Sequence, residues 1–219
     1  MLNEKVFITG NHPAELFVPL LHFRDAGFNF EFVTVSGKPV VLEMWAYPND
    51  DENVKQLHDE LRSTMENPKK LEDIKSVEPY AALFIPGGHG CMINLPQSKE
   101  LGMLLHEAHE IQLPTVTLCH GPGTLLSTEK VDGKGFAYDG YKSCCFTDAT
   151  DSFTPLIGYL PGKMPWKPQS KLSSKGLKIQ NRTETGYTYQ FKELITGDSP
   201  NAANNLGIMA APIIVEHWE

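Results

Sequence analysis

The chain has 219 residues, 41% of them hydrophobic and 21% charged, ordinary globular proportions that exclude wholesale disorder and collagen-like repeats and allow a substantial core. Its 19 basic residues against 27 acidic ones leave a formal charge of −8, which repels nucleic acid and anionic membranes instead of steering them in. Small uncharged or weakly anionic substrates stay open.

Met1–Gly10 lacks the apolar run and small-residue cleavage site of a secretory signal. The longest apolar stretches, around Ala81–Ile85 and Ile208–Val215, are too short to span a bilayer. The four cysteines (Cys91, Cys119, Cys144, Cys145) show no CxxC or zinc-type spacing, and two of them are adjacent. That arrangement suits reduced thiols and a cytoplasmic setting better than a disulfide framework.

In chain order, Lys5–Thr9 is a predicted strand. Pro13–Ala26 is a helix with Leu16, Val18, Leu20, Leu21 and Phe23 on its apolar face and Gly27 as C-cap. Phe28–Val35 alternates as a strand, and Val40–Ala46 is a second extended piece. Asp51–Glu66 reads as an acidic, exposed helix, broken by Pro68, Lys69 and Lys70. Strands at Tyr80–Ile85 and Thr115–Leu118 flank a helix at Ser98–Ile111, and Thr124–Ser127 continues as a helix. Gly140–Phe146 is a strand, Lys167–Ser174 a helix in a loop-rich stretch, and Leu177–Gln180 and Leu194–Thr196 are strands. The final helix starts near Pro200. Strands alternating with helices predict βαβ units and a mostly parallel sheet in a single α/β domain over residues 1–219, with an insertion at roughly 36–78.

Three local features carry chemistry. Cys119, in Leu118-Cys119-His120-Gly121-Pro122-Gly123, sits on a tight turn between a buried strand and a helix. Its sulfur is expected to meet the unpaired N–H groups and positive dipole end of that helix, which would lower the thiol pKa. A buried structural cysteine is the competing reading. Pro86-Gly87-Gly88-His89-Gly90 follows a second strand, where free N–H groups can face an oxyanion; a ligand-free glycine turn is its plain alternative. Glu15 lies in the first turn of the first helix, where an acidic residue ordinarily only offsets the dipole.

Together these strings resemble the ThiJ/PfpI superfamily, and within it the HchA-type branch of heat-shock chaperones and glutathione-independent (type III) glyoxalases, some described as deglycases. Thr9–Pro13, Trp45-Ala46, Asn67–Leu71, Ile157–Gly162 and Thr196–Pro200 extend the likeness along nearly the whole chain. The resemblance implies a flavodoxin-like three-layer sandwich of the class I glutamine amidotransferase type. It also implies a homodimer, a small 2-oxoaldehyde substrate, unfolded or glycated proteins as further partners, a role in stress response, and no cofactor.

Residue by residue, the resemblance makes Cys119 the nucleophile and His120 its base. Asp151 becomes the triad acid, with Asp148 as second candidate, and Glu15 the carboxyl beside the sulfur, its pKa raised. The N–H groups of Gly88 and His120 become the oxyanion site. The branch's metal ligands fall at Arg24, Asn29 and Leu61, with His22 and His58 nearby, a set that predicts no bound metal. Relatives carry a longer N-terminal segment, and Lys5–Thr9 is expected to serve here as the first strand; a sheet lacking that strand would point to an inactive remnant. The leading reading is conversion of methylglyoxal to lactate. Two others compete: a holdase chaperone presenting Phe153, Leu156, Tyr159, Leu160, Met164 and Trp166, and a redox sensor in which Cys119 is oxidised.

Overall fold

The computed structural model describes residues 9–219. The expected strand at Lys5–Thr9 therefore lies outside the described residues except for Thr9. The strands are β1 (Val33–Thr34), β2 (Lys69–Lys70), β3 (Leu83–Ile85), β4 (Thr115–Leu118), β5 (Lys142–Ser143), β6 (Lys178–Ile179), β7 (Thr188–Phe191) and β8 (Leu194–Gly197). The α-helices are α1 (Pro13–Asp25), α2 (Glu52–Glu66), α3 (Lys99–Glu110), α4 (Asp148–Phe153), α5 (Pro168–Ser174) and α6 (Ala203–Trp218).

β4 is the centre of the fold. Its four residues, Thr-Val-Thr-Leu, are all buried, as expected for a strand covered on both faces. It pairs in parallel with β3 on one side, Phe84 opposite Val116, and with β8 on the other, Thr117 opposite Thr196. β7 closes that edge antiparallel to β8. Side chains alternate across the sheet: Ile195 joins the core beneath α1, α2 and α6, whereas Leu194 joins the core beneath α3 and α5. Leu16, Phe17, Leu20 and Phe23 of α1 pack with Leu206, Ala210 and Ile214 of α6 in the first layer. Leu101, Leu104, Leu105 and Ala108 of α3 fill the second. The result is a flavodoxin-like α/β sandwich with helices on both faces of a mostly parallel sheet.

Several elements differ from the sequence reading. Among the described residues, the strand expected over Phe28–Val35 pairs at Val33–Thr34, where Lys69–Lys70 lies alongside; the lysines do not merely break α2 but form β2. Among the described residues the strands expected at Tyr80–Ile85 and Gly140–Phe146 pair over β3 and β5, alongside β4 and β6. Val40–Ala46 makes one parallel bridge, Leu42 with Asn11, and then turns through a 3₁₀ segment at Met44–Ala46. The helix expected over Thr124–Ser127 is a longer 3₁₀ segment, Gly121–Lys130. Besides β2, among the described residues α4, six residues long, and β7, whose hairpin with β8 turns at Lys192 (φ 53°), went unpredicted. Asp51 and Ser98 are not the first residues of α2 and α3 but their N-caps, accepting hydrogen bonds from backbone N–H groups of the first turn.

Among the described residues no helix is long and apolar enough to cross a membrane. The proposed chaperone surface is only partly exposed. Phe153, Leu156 and Tyr159 are open to solvent, but Leu160 is buried, and Met164 and Trp166 are half-buried, with Trp166 packed on the second core.

Candidate active site

The site is assembled at the C-terminal edge of the parallel strands, where β3 and β4 hand over to turns. β4 ends at Leu118, and the next residue, Cys119, has φ 58°, a left-handed conformation that costs a non-glycine residue on the order of 1 kcal/mol. Backbone bonds on both sides hold it there: Cys119 N–H donates to the Gly197 carbonyl at 3.0 Å, and Phe146 N–H donates to the Cys119 carbonyl at 2.8 Å. This strained bend lifts the sulfur out of the sheet line.

Around the sulfur the geometry forms a row. Cys119 Sγ lies 3.3 Å from His120 Nδ1, and His120 Nε2 lies 2.8 Å from Asp151 Oδ2. The His120 ring is fixed between two others, stacked on Phe146 with centroids 4.6 Å apart and against His89 at 4.5 Å. Asp151 projects from α4, which is set by Thr147 as N-cap and by Glu184, whose oxygens accept from Thr147 N–H and from the Thr150 hydroxyl. The second candidate, Asp148, is employed elsewhere: it accepts from the N–H groups of Gln169 and Ser170 and from the Ser170 hydroxyl, capping α5.

Glu15 reaches the same sulfur from the first turn of α1. It is wholly buried, its carboxyl lying against Cys119 and the Gly87 backbone, although among the described residues neither oxygen makes a close hydrogen bond. Burial, reinforced by the charge of Glu43, holds its pKa at about 8. Gly87 leaves the room for this contact: a Cβ there would collide with the Glu15 carboxyl and sit 2.7 Å from Cys119 Cβ. Gly88 (φ 101°) turns the chain back against Gly10 and His12, next to the cysteine bend.

One electrostatic expectation is corrected. Burial pushes the Cys119 thiol up, and the Glu15 carboxylate pushes it further; together they outweigh the helix end that the sequence suggested would lower it. So tight a space has room for little more than one negative charge, and at neutral pH the carboxyl and the thiol both keep their protons.

Two members of the site were not singled out from the sequence. Glu43, 1% exposed, comes from the segment that Asn11 pins through backbone bonds to Val41 and Glu43. It accepts hydrogen bonds from the Thr9 hydroxyl at 2.8 Å and from His89 N–H at 3.0 Å. His89, in the glycine turn, places Nδ1 at 3.6 Å from Glu43 and Nε2 at 3.6 Å from Asp151. A glycine-rich string hid the histidine, and an isolated glutamate in an extended segment carries no periodic signal. Above His12 and His89, the Trp45 and Tyr159 rings meet edge to face at 5.0 Å, with Trp45 6.0 Å from His12 and Tyr159 6.4 Å from His89.

His89, His120 and Asp151 are the described residues whose donor atoms cluster within 4.8 Å, but the direct 2.8 Å bond between His120 and Asp151 makes the row one of shared protons. The positions aligned with the branch's metal site do not form a ligand set. Arg24 pairs with Asp25 and Glu60, and Asn29 and Leu61 sit in an exposed loop and on α2. His22 bonds Asn204, and His58 bonds Tyr47.

A cysteine at a strained bend after the central strand, backed by histidine and aspartate, defines a cysteine-centred site on a flavodoxin-like α/β fold. Solved structures with that fold include Francisella tularensis Rapid Encystment Protein (TM-score 0.84, 19% identity, 98% of this chain and 94% of that one). Another is glyoxalase III from Candida albicans (TM-score 0.76, 20% identity, 93% and 88%). The DJ-1/PfpI family profile matches residues 6–143. The chain is 42% identical over 223 residues to the protein/nucleic acid deglycase HchA of Pseudomonas aeruginosa, covering 99% of this chain and 77% of the relative. It is also 42% identical to the protein of the same name from Escherichia coli, covering 95% and 74%. The chain belongs to the DJ-1/PfpI family.

Proposed function

We propose that the protein is a glutathione-independent glyoxalase that converts small 2-oxoaldehydes, methylglyoxal first among them, to 2-hydroxy acids. The observation that carries this reading is the convergence of Cys119, His120 and Asp151 in hydrogen-bonding order with a protonated Glu15 against the same sulfur.

In this reading His120 takes the thiol proton as sulfur attacks the aldehyde carbon, and Asp151 steadies the imidazolium. The proton passes to the former aldehyde oxygen, giving a hemithioacetal, with the N–H groups of Gly88 and His120 as oxyanion donors. His120 then removes the hydrogen from that carbon while the Glu15 carboxyl protonates the ketone oxygen, forming an enediol. Return of a proton to the second carbon, and loss of one from the first hydroxyl, leaves a lactoyl thioester on Cys119. Water cleaves it to lactate and regenerates the thiol. One carbon is oxidised by as much as its neighbour is reduced, so the atoms balance with no redox cofactor. A protonated Glu15 is required, so turnover falls as pH rises through about 8.

Removal of early glycation adducts is the second reading, favoured by the name of the HchA relatives; in it the Cys119 sulfur takes the aldehyde-derived carbon as the bond from that carbon to the protein or nucleotide amine breaks, the amine leaves with a proton, and the same hemithioacetal follows the same path. The test is lactate release from methylglyoxal without glutathione. Lactate from the parent and none from a folded Cys119→Ser variant is expected. No lactate from the parent, or equal lactate from both, overturns the proposal.

A further inference from the structure

The reaction above, on which this inference rests, employs Cys119, His120, Asp151 and Glu15 and leaves two buried charged groups beside them without a task. Glu43 and His89 join the row at its far end: Glu43 Oε1 lies 3.6 Å from His89 Nδ1, and His89 Nε2 lies 3.6 Å from Asp151 Oδ1, the carboxylate oxygen that His120 does not use. An imidazole with a carboxylate oxygen facing each ring nitrogen is satisfied only when both nitrogens carry protons. We infer that Glu43 and His89 are positioning residues: a doubly protonated His89, bridging the two carboxylates, keeps Asp151 ionised and turned toward His120 throughout the cycle.

The surroundings agree with that assignment. The groups facing His89 are Glu43 from the pinned segment, Asp151 from α4, His120 from the cysteine turn, His12 and Glu15 from the start of α1, and Tyr159 from the loop after α4. Burial acts to deprotonate His89, but its bonds to Asp151 and Glu43 prevail and raise its pKa to about 9. Burial acts to protonate Asp151, but the bonds to His120 and His89 prevail and lower its pKa to about 2. Glu43 itself is held by the Thr9 hydroxyl and by His89 N–H, so its carboxylate is fixed before His89 leans on it. The row then reads Glu43–His89–Asp151–His120–Cys119, with alternating carboxylate and imidazole ending at the sulfur.

The test is Glu43→Gln, which keeps the shape and the accepting oxygen and removes only the charge. Nitrogen NMR of the His89 ring is expected to show its midpoint falling from about 9 toward neutrality. With methylglyoxal, kcat is expected to fall about 10-fold with KM within about 2-fold of the parent, and alkylation of Cys119 by iodoacetamide to slow in step with kcat. An unmoved His89 midpoint, or unchanged kcat and alkylation, overturns the inference. The NMR and alkylation readouts need no aldehyde turnover, so they judge the row even if the glyoxalase reading fails. Should Glu43→Gln not fold, His89→Gln serves: slowed alkylation of Cys119 supports the row, and the parent's rate overturns it.

Discussion

The two ends of the central strands hold similar side chains arranged to opposite effect. At the N-terminal end, Glu193 before β8 is buried and bonded: His109 Nδ1 lies 2.8 Å from it, and the Tyr141 hydroxyl donates to it at 3.2 Å. Lys192 rests 4.9 Å from the Tyr141 ring centroid. At the C-terminal end the histidines and carboxylates are as buried, yet among the described residues both Glu15 oxygens and His12 Nδ1 lack a close hydrogen bond, and the cysteine is strained. Buried polar groups are ordinarily satisfied. In the proposed reaction the protonated Glu15 carboxyl at the C-terminal end gives its proton to the substrate; at the other end the Glu193 carboxylate is engaged by His109 and Tyr141 and ties β8 to its neighbours.

Substitutions at the two ends sharpen that contrast. Asp151→Asn should have the largest effect, lowering kcat roughly 1,000-fold or more by releasing the His120 orientation, and should also lower the thermal midpoint, since the ionised Asp151 is stabilised by both histidines; a kcat loss under about 10-fold would mean that His120 is oriented without it.

Glu15→Gln comes next and should separate stability from activity. The folded carboxyl binds its proton up to about pH 8, against an ordinary value of 4.5. Between those values the folded chain therefore holds a proton that the unfolded chain has lost, and stability falls as pH rises across that window. The parent gives up about 1.4 kcal/mol for each pH unit climbed there. The glutamine variant should lose that slope and be more stable than the parent near pH 8, while its turnover collapses. Parallel stability-versus-pH curves for the two proteins would break the argument.

Glu193→Gln should be the mildest, costing about 1–2 kcal/mol in denaturant unfolding through the weakened Glu193–His109 bond and leaving kcat within about 2-fold. A kcat loss at that position as large as at Asp151 would erase the distinction between the ends.

Much of this was legible in the sequence because local rules carried it. The apolar spacing of α1 and α3, the buried Thr-Val-Thr-Leu strand, and the cysteine and glycine turns after β4 and β3 are each short-range signals. Glu15 and the Asp151 stretch gained meaning only from the family resemblance, since one acidic residue in a helix looks like any other. Strand extents differ from the sequence reading among the described residues because pairing depends on what lies alongside, as where Lys69–Lys70 meets Val33–Thr34. The sulfur's protonation was misjudged because burial by α1 and the glycine turn is a tertiary effect. Glu43 and His89 were invisible as a pair, since 46 residues separate them and only the bridge between Asn11 and Leu42 brings the glutamate beneath the turn.

The division of labour between sulfur and carboxyl is tested most directly by carbon NMR of isotope-labelled methylglyoxal mixed with the Glu15→Gln variant. The account predicts that the labelled aldehyde carbon stays bound to Cys119 as a hemithioacetal, with no lactate following and no such signal when Cys119 is also replaced by serine. Lactate formed by Glu15→Gln at the parent's rate, or a labelled carbon that never joins the sulfur, would contradict it.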